Sequence, residues 1–279
     1  MMDGIAQLGL AQTQDAGEAR PLLSVQGVTV RFGGVVALDS VSFDVERGHV
    51  CGLIGPNGAG KTTLFNCLSR LYSYQADDIQ FEGRSITDTP THGISPLGIG
   101  RTFQNLAMFR TLPVRDNIMI GAHCRSSAGF LASALRLPGV STEERRLRER
   151  AGKIMEYLDL TKVANRPAGD LPFGTQKRVE MGRALAADPK LLLLDEPAAG
   201  LNHEEVNDLG RLILDVQDKL GVTVLLVEHH MGLVMSVSNH IVALNFGKKI
   251  AEGTPEHIKQ HPDVIAAYLG SDAREAAHG

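Results

Sequence analysis

The sequence predicts an α/β fold in which a core of buried strands is interrupted by an inserted helical lobe. Three observations carry this. VCGLIG, LLLLDE and TVLLVEHH are continuous apolar runs of the kind found in parallel strands covered on both faces. The first runs straight into the glycine-rich GPNGAGKTT, and KTTLFNCLSRL behind it has helical spacing through Leu64, Leu68 and Leu71. From about Val114 to Asp170, strand patterns give way to helical ones.

The elements follow in order. Leu23 to Val50 reads as short strands, SVQGVTVRF and VALDSVSFDV, with a turn at Arg47-Gly48. The clearest helix of the lobe opens at Ser141, with Glu144 three residues on as a capping box. Leu147, Ala151, Ile154 and Leu158 share one of its faces. HEEVNDLGRLILDVQDKL separates the two later buried strands as a helix. The domain is expected over 22–270, with the helical subdomain at about 114–170, a disordered N-terminal extension over 1–21 and a tail over 271–279.

Composition bounds the function. The chain has 279 residues, 43% hydrophobic, enough for a substantial core. Its net charge of -4 gives no global basic field, so nucleic acid is not an expected partner. Cys51, Cys67 and Cys124 form no C-x-x-C unit, and three cysteines cannot all pair, which fits a reducing compartment. Nowhere do about 18 apolar residues run together, so any membrane role is borrowed from a partner.

GPNGAGKTT fits the pattern G-x-x-x-x-G-K-[ST], with Gly55, Gly60, Lys61 and Thr62 at the fixed positions. Gly55, Gly58 and Gly60 permit the torsions that turn successive backbone N–H groups toward phosphate oxygens. The loop from Gly55 through Pro56, Asn57, Ala59 and on to Thr63 is the candidate nucleotide site, and the helix behind it adds a positive end. Lys61 supplies a point charge for the β and γ phosphates, and the Thr62 hydroxyl can ligate magnesium. Asp195 and Glu196 end an apolar strand, where open α/β sheets place their chemistry. Asp195 is the candidate magnesium ligand, and Glu196 the candidate base for the attacking water.

Over about Leu23 to Gly270 these motifs and their surroundings resemble the ATP-binding subunits of ABC transporters. The resemblance implies a P-loop ATPase core with a mixed sheet, an antiparallel β subdomain and the inserted helical subdomain, with ATP and Mg2+ as cofactors. Phe32 in VRFGG stands where the family stacks an aromatic on adenine; a core strand residue is the other reading. Gln104 in RTFQN stands where a glutamine contacts magnesium and relays to the membrane subunits. LPFGTQKR occupies the place of the signature LSGGQ, which caps the γ phosphate bound to a partner subunit. Pro172 and Phe173 depart from it, whereas Gly174 and Gln176 remain. Proline suits a first helical turn, so the helix can still present its N–H groups, with Gly174 carrying the contact. AAGLN matches the dimer-contact loop, with Asn202 in the usual aspartate position. His229 in VEHH matches the switch histidine, and His230 follows it as a second departure.

LPFG, DEPAAGLN and HPDVIAAYLG together resemble the subfamily that serves importers of branched-chain amino acids and related amides. The resemblance implies a cytoplasmic subunit, peripheral on the inner face of the membrane. It would pair with a second ATPase subunit, alike or related, and with permease subunits that work with a solute-binding protein. MFRTLPVRDNI suits the permease contact, or an ordinary helix start. Two rival readings are an exporter motor for lipid or polysaccharide and a soluble ATP-dependent regulator.

Overall fold

The computed structural model describes residues 20–102, 108–122 and 138–269, and for 138–144 the backbone alone. The terminal extensions expected over 1–21 and 271–279 lie outside the described residues, apart from Arg20 and Pro21. So do Gln104 and Cys124. The described chain divides into two compact units, 20–94 with 193–269, and 95–192.

In the first of these, β1 (Leu23–Phe32) and β2 (Val35–Val45) form a hairpin paired from Leu23↔Val45 to Phe32↔Val35. The Gly33-Gly34 link is the two-residue turn that such a hairpin favours. β3 (Val50–Ile54) follows the turn at Arg47-Gly48 and leads into α1 (Lys61–Leu68). β4 (Asp78–Phe81) and β5 (Arg84–Ser85) complete an antiparallel sheet of order β2-β1-β4-β5. α2 (Thr91–Leu97) leads out of this unit.

The same unit holds the ligand-bearing sheet. β3 pairs in parallel with β8 (Thr223–Val227) and with β9 (His240–Asn245), while β10 (Lys248–Gly253) runs antiparallel to β9. β7 (Leu191–Asp195) lies on the other side of β8. Every residue of β3, β7 and β8 is buried, which is why those segments read as unbroken apolar runs. α6 (His203–Leu220), α7 (Met231–Val237) and α8 (Pro255–Gln260) follow, and 262–269 is helical. Cys51 and Cys67 sit in this core, where burial pushes each thiol up to about 12, so both behave as small apolar residues.

The other unit opens with β6 (Ile99–Arg101), beside which the Gly98 carbonyl accepts from Lys190 (2.7 Å) and Leu191 (3.1 Å). α3 (Val114–Ala122), α4 (Pro138–Tyr157) and α5 (Phe173–Ala186) then bury Ile118, Ala151, Ile154, Leu158 and Val179 among them. α3 and α5 meet at close range: a Cβ on Gly121 would stand 2.0 Å from the Arg183 carbonyl oxygen. The fully buried Asn117 donates to the carbonyls of Phe109, Leu112 and Pro113 and accepts from the Phe109 N–H, so it shapes the segment ahead of α3.

Two helix boundaries differ from the sequence expectation. α1 stops at Leu68, because Arg70 takes φ 57 and the Leu71 N–H returns to the Asn66 carbonyl, leaving Leu71 exposed. α4 opens at Pro138, three residues before Ser141, so Ser141 lies inside the helix and is not its cap. Proline at a first helical position needs no N–H partner, and that is where the chain uses it. Among the described residues no helix is long and apolar enough to cross a membrane.

Candidate functional site

β3 delivers the chain from the core to the phosphate loop, and α1 carries it away. Gly55, Gly58 and Gly60 all lie at positive φ (152, 78 and 103). At Gly55 the backbone packs so closely on β9 that a Cβ would stand 2.2 Å from the Leu244 carbonyl oxygen. At Gly60 it would stand 2.7 Å from Leu38 Cδ2. Both positions therefore require glycine for torsion and for space. Gly60 caps α1 without any side-chain bond, so the first N–H groups of the helix stay available to an anion. Lys61 is buried, its Nζ donating to the carbonyls of Gly55 (2.6 Å) and Pro56 (3.0 Å). Burial lowers its pKa, and the charges of Glu196 and Asp195 oppose that shift. One ammonium thus lies in the field of both predicted carboxylates.

Asp195 is the final residue of β7 and is 1% exposed. Glu196 follows at φ 47, a left-handed conformation unusual for a side chain, with its N–H bonded to the Val227 carbonyl at 2.9 Å. Such strain is typical of residues that a fold over-determines at a working site. His229 is largely exposed, and its Nδ1 stands 4.0 Å from Glu196 Oε2. The predicted base and switch histidine therefore face one another.

Glu228 escaped the sequence reading. It is fully buried, and its carboxylate accepts from Ala198 N–H (2.6 Å), His229 N–H (3.1 Å) and His230 N–H (3.2 Å). It thereby ties the turn after Glu196 to the turn that bears His229, acting as a positioning residue. A lone glutamate after an apolar strand gives no sign of this, because the three donors come from two distant turns. Tyr268 escaped too, although its hydroxyl accepts from the Gly55 N–H at 3.0 Å.

The two departures from the family pattern turn out to be helix caps. Asn202 accepts from the Glu205 N–H (3.0 Å) while Glu205 accepts from the Asn202 N–H (2.9 Å), a reciprocal capping box for α6. His230 caps α7 through Nδ1, which accepts from Leu233 N–H at 3.2 Å. Phe32 is 49% exposed and meets Tyr72 edge to face at 5.4 Å, so it is not a core strand residue.

In the other unit, Pro172 stands at the N-cap of α5 with no side-chain bond, so the N–H groups of the first turn are not capped by it. Gly174 lies in that first turn. The Gln176 amide is directed backward, donating to the carbonyls of Leu171 (2.7 Å) and Gly169 (3.3 Å), where it fixes the turn that starts the helix. Gln104 lies outside the described residues.

The loop suits a polyphosphate: free helix-end donors, a cradle that side chains would fill, and a lysine at its floor. The hydroxyl of Thr62, exposed beside Lys61, and the carboxylate of Asp195 are hard oxygen donors of the kind magnesium takes. Among the described residues no cluster of three His, Cys, Asp or Glu side chains forms a separate metal centre.

Comparison with known proteins points the same way. The family pattern described as ABC transporter matches residues 38–199. A second, described as branched-chain amino acid ATP-binding cassette transporter, matches residues 248–274. The chain is 46% identical over 252 residues to the high-affinity branched-chain amino acid transport ATP-binding protein BraF of Pseudomonas aeruginosa, covering 90% of this chain and 99% of that one. It is 40% identical, with the same coverage, to the corresponding protein LivG of Escherichia coli. Among solved structures it is similar to the ADP conformation of an ATP-binding cassette of an ABC transporter, with TM-score 0.79 and 33% identity over 90% of this chain and 99% of that one. With a phosphate loop, two carboxylates and a histidine in one unit, and this degree of likeness, the chain belongs to the ABC transporter family as an ATP-hydrolysing cassette subunit.

Proposed function

We propose that this cassette energises high-affinity import of branched-chain amino acids or related amides, seated on permease subunits at the inner face of the cell membrane. The relatives named for that transport, and the match over residues 248–274, support the solute class. The single observation that carries the chemistry is Lys61, whose ammonium lies on the floor of the open phosphate loop in the field of Asp195 and Glu196.

The residues divide the work. Backbone N–H groups between Gly55 and Thr63 receive the β and γ phosphates, and Lys61 turns from the loop carbonyls toward them. Thr62 and Asp195 would hold Mg2+, aided by Gln104, and the ion would supply charge neutralisation at the β and γ oxygens. Glu196 accepts the proton of the attacking water, and His229 orients that water and the γ phosphate. Phe32 stacks on adenine. Gly174, on a turn held by Gln176, offers its helix N-terminus to the nucleotide of a second cassette, which pairs with this one as a like or related subunit.

Deleting the chain from its host and measuring uptake of radiolabelled leucine tests the assignment. Uptake is expected to fall to background and to return with the wild-type chain. Unchanged uptake of branched-chain amino acids and their amides would overturn it.

A further inference from the structure

We propose that Tyr268, in the helical stretch 262–269, is a positioning residue that sets the phosphate loop for nucleotide. This rests on the reading of Gly55 to Thr63 as the nucleotide site. The Gly55 N–H donates to the Tyr268 hydroxyl at 3.0 Å, across 213 positions of sequence. Gly55 is the residue at which the chain leaves β3 to form the loop, so its peptide plane sets the direction of everything that follows.

That peptide is gripped from both ends. Its carbonyl accepts from Lys61 Nζ at 2.6 Å, and its N–H is held by the phenol. The two grips differ in what a nucleotide does to them. Phosphate oxygens draw on the three ammonium donors of Lys61, whereas they draw on nothing in the Tyr268 bond. Farther along, the Ala59 N–H closes on the Pro56 carbonyl (3.1 Å), and the Ala59 carbonyl accepts from Gly247 (3.0 Å). The loop is thus pinned at its exit by the turn between β9 and β10 and at its entry by the C-terminal stretch.

The phenol is delivered by an anchored element. Val264 and Ile258 are buried, and the Ile265 N–H bonds the His261 carbonyl at 3.1 Å. Burial raises the pKa of the Tyr268 hydroxyl, outweighing the Gly55 N–H that favours the anion, so the group stays neutral. The stretch falls within residues 248–274, the region matched by the branched-chain cassette pattern, which gives that region a part in the nucleotide site.

The test uses the full-length chain as wild type, Tyr268→Phe and Lys61→Ala, with ADP affinity read by calorimetry and ATP hydrolysis by steady-state kinetics. Loss of one hydrogen bond at the loop is expected to weaken ADP binding by about threefold to tenfold in Tyr268→Phe. KM for ATP should rise by the same factor, with kcat within about twofold of wild type. Unchanged ADP affinity and KM in Tyr268→Phe, with or without a lower melting temperature, would leave Tyr268 a packing residue and overturn the proposal. If Lys61→Ala binds ADP as tightly as wild type, the nucleotide site itself is misplaced. If Lys61→Ala loses ADP and Tyr268→Phe does not, the positioning role alone fails. Should Tyr268→Phe fold poorly, amide exchange in the wild type decides: Gly55 is expected to be protected, and exchange at the free-peptide rate would contradict the bond.

Discussion

Glu228 shows how much a single side chain can organise without touching substrate. Its carboxylate gathers three backbone donors from two turns, and Glu228→Gln would present an amide NH2 to at least one of those N–H groups. The variant is expected to lose about 1–3 kcal/mol of folding stability in urea titrations. Its kcat should fall while nucleotide affinity holds, because the displaced groups are Glu196 and His229 and not the phosphate loop. Equal loss of ADP affinity and kcat would show that the effect is not local to those turns. Lys61, Asp195 and Glu196 were legible because their spacing from a strand end and a glycine turn has a chemical reason. Glu228 and Tyr268 were not, because their partners are backbone groups brought together only by the fold.

At the scale of elements, α3 and α5 depend on one close approach. Gly121→Val places three carbons where the Arg183 carbonyl already stands, and it should cost about 2–4 kcal/mol in chemical denaturation. The start of α5 makes a functional prediction. Gly174→Val should leave ADP affinity of the isolated chain near wild type and lower hydrolysis by the assembled complex about tenfold or more. Normal hydrolysis would remove Gly174 from the site. The β4–β5 hairpin makes a pH prediction. Hydrogen bonds from Ser85 and Gln80 hold Asp78 below the ordinary aspartate pKa, so its contribution is complete above that ordinary value and is lost as pH falls through the lowered one. Asp78→Asn should flatten the acid limb of the stability profile measured by fluorescence. Strands were legible here and helix ends were not. β3, β7 and β8 are apolar at nearly every position, whereas the stop of α1 depends on the left-handed torsion of Arg70 and the start of α4 on Pro138.

Across the whole molecule, the sequence identified a cassette and placed its chemistry within one unit, the one that holds the phosphate loop, Asp195, Glu196 and His229. The signature helix sits in the other unit, where Pro172 caps α5 without a side-chain bond. A proline in a serine's place therefore keeps the helix start open, which the substitution alone did not reveal. The solute stays invisible at this scale, since the residues that meet ATP are built for phosphate. The most direct measurement is ATP turnover by the full-length chain assembled with its membrane subunits, comparing wild type with Glu196→Gln. The account predicts that the variant still binds ATP and that its kcat falls by about a hundredfold or more. Wild-type turnover in Glu196→Gln would contradict it.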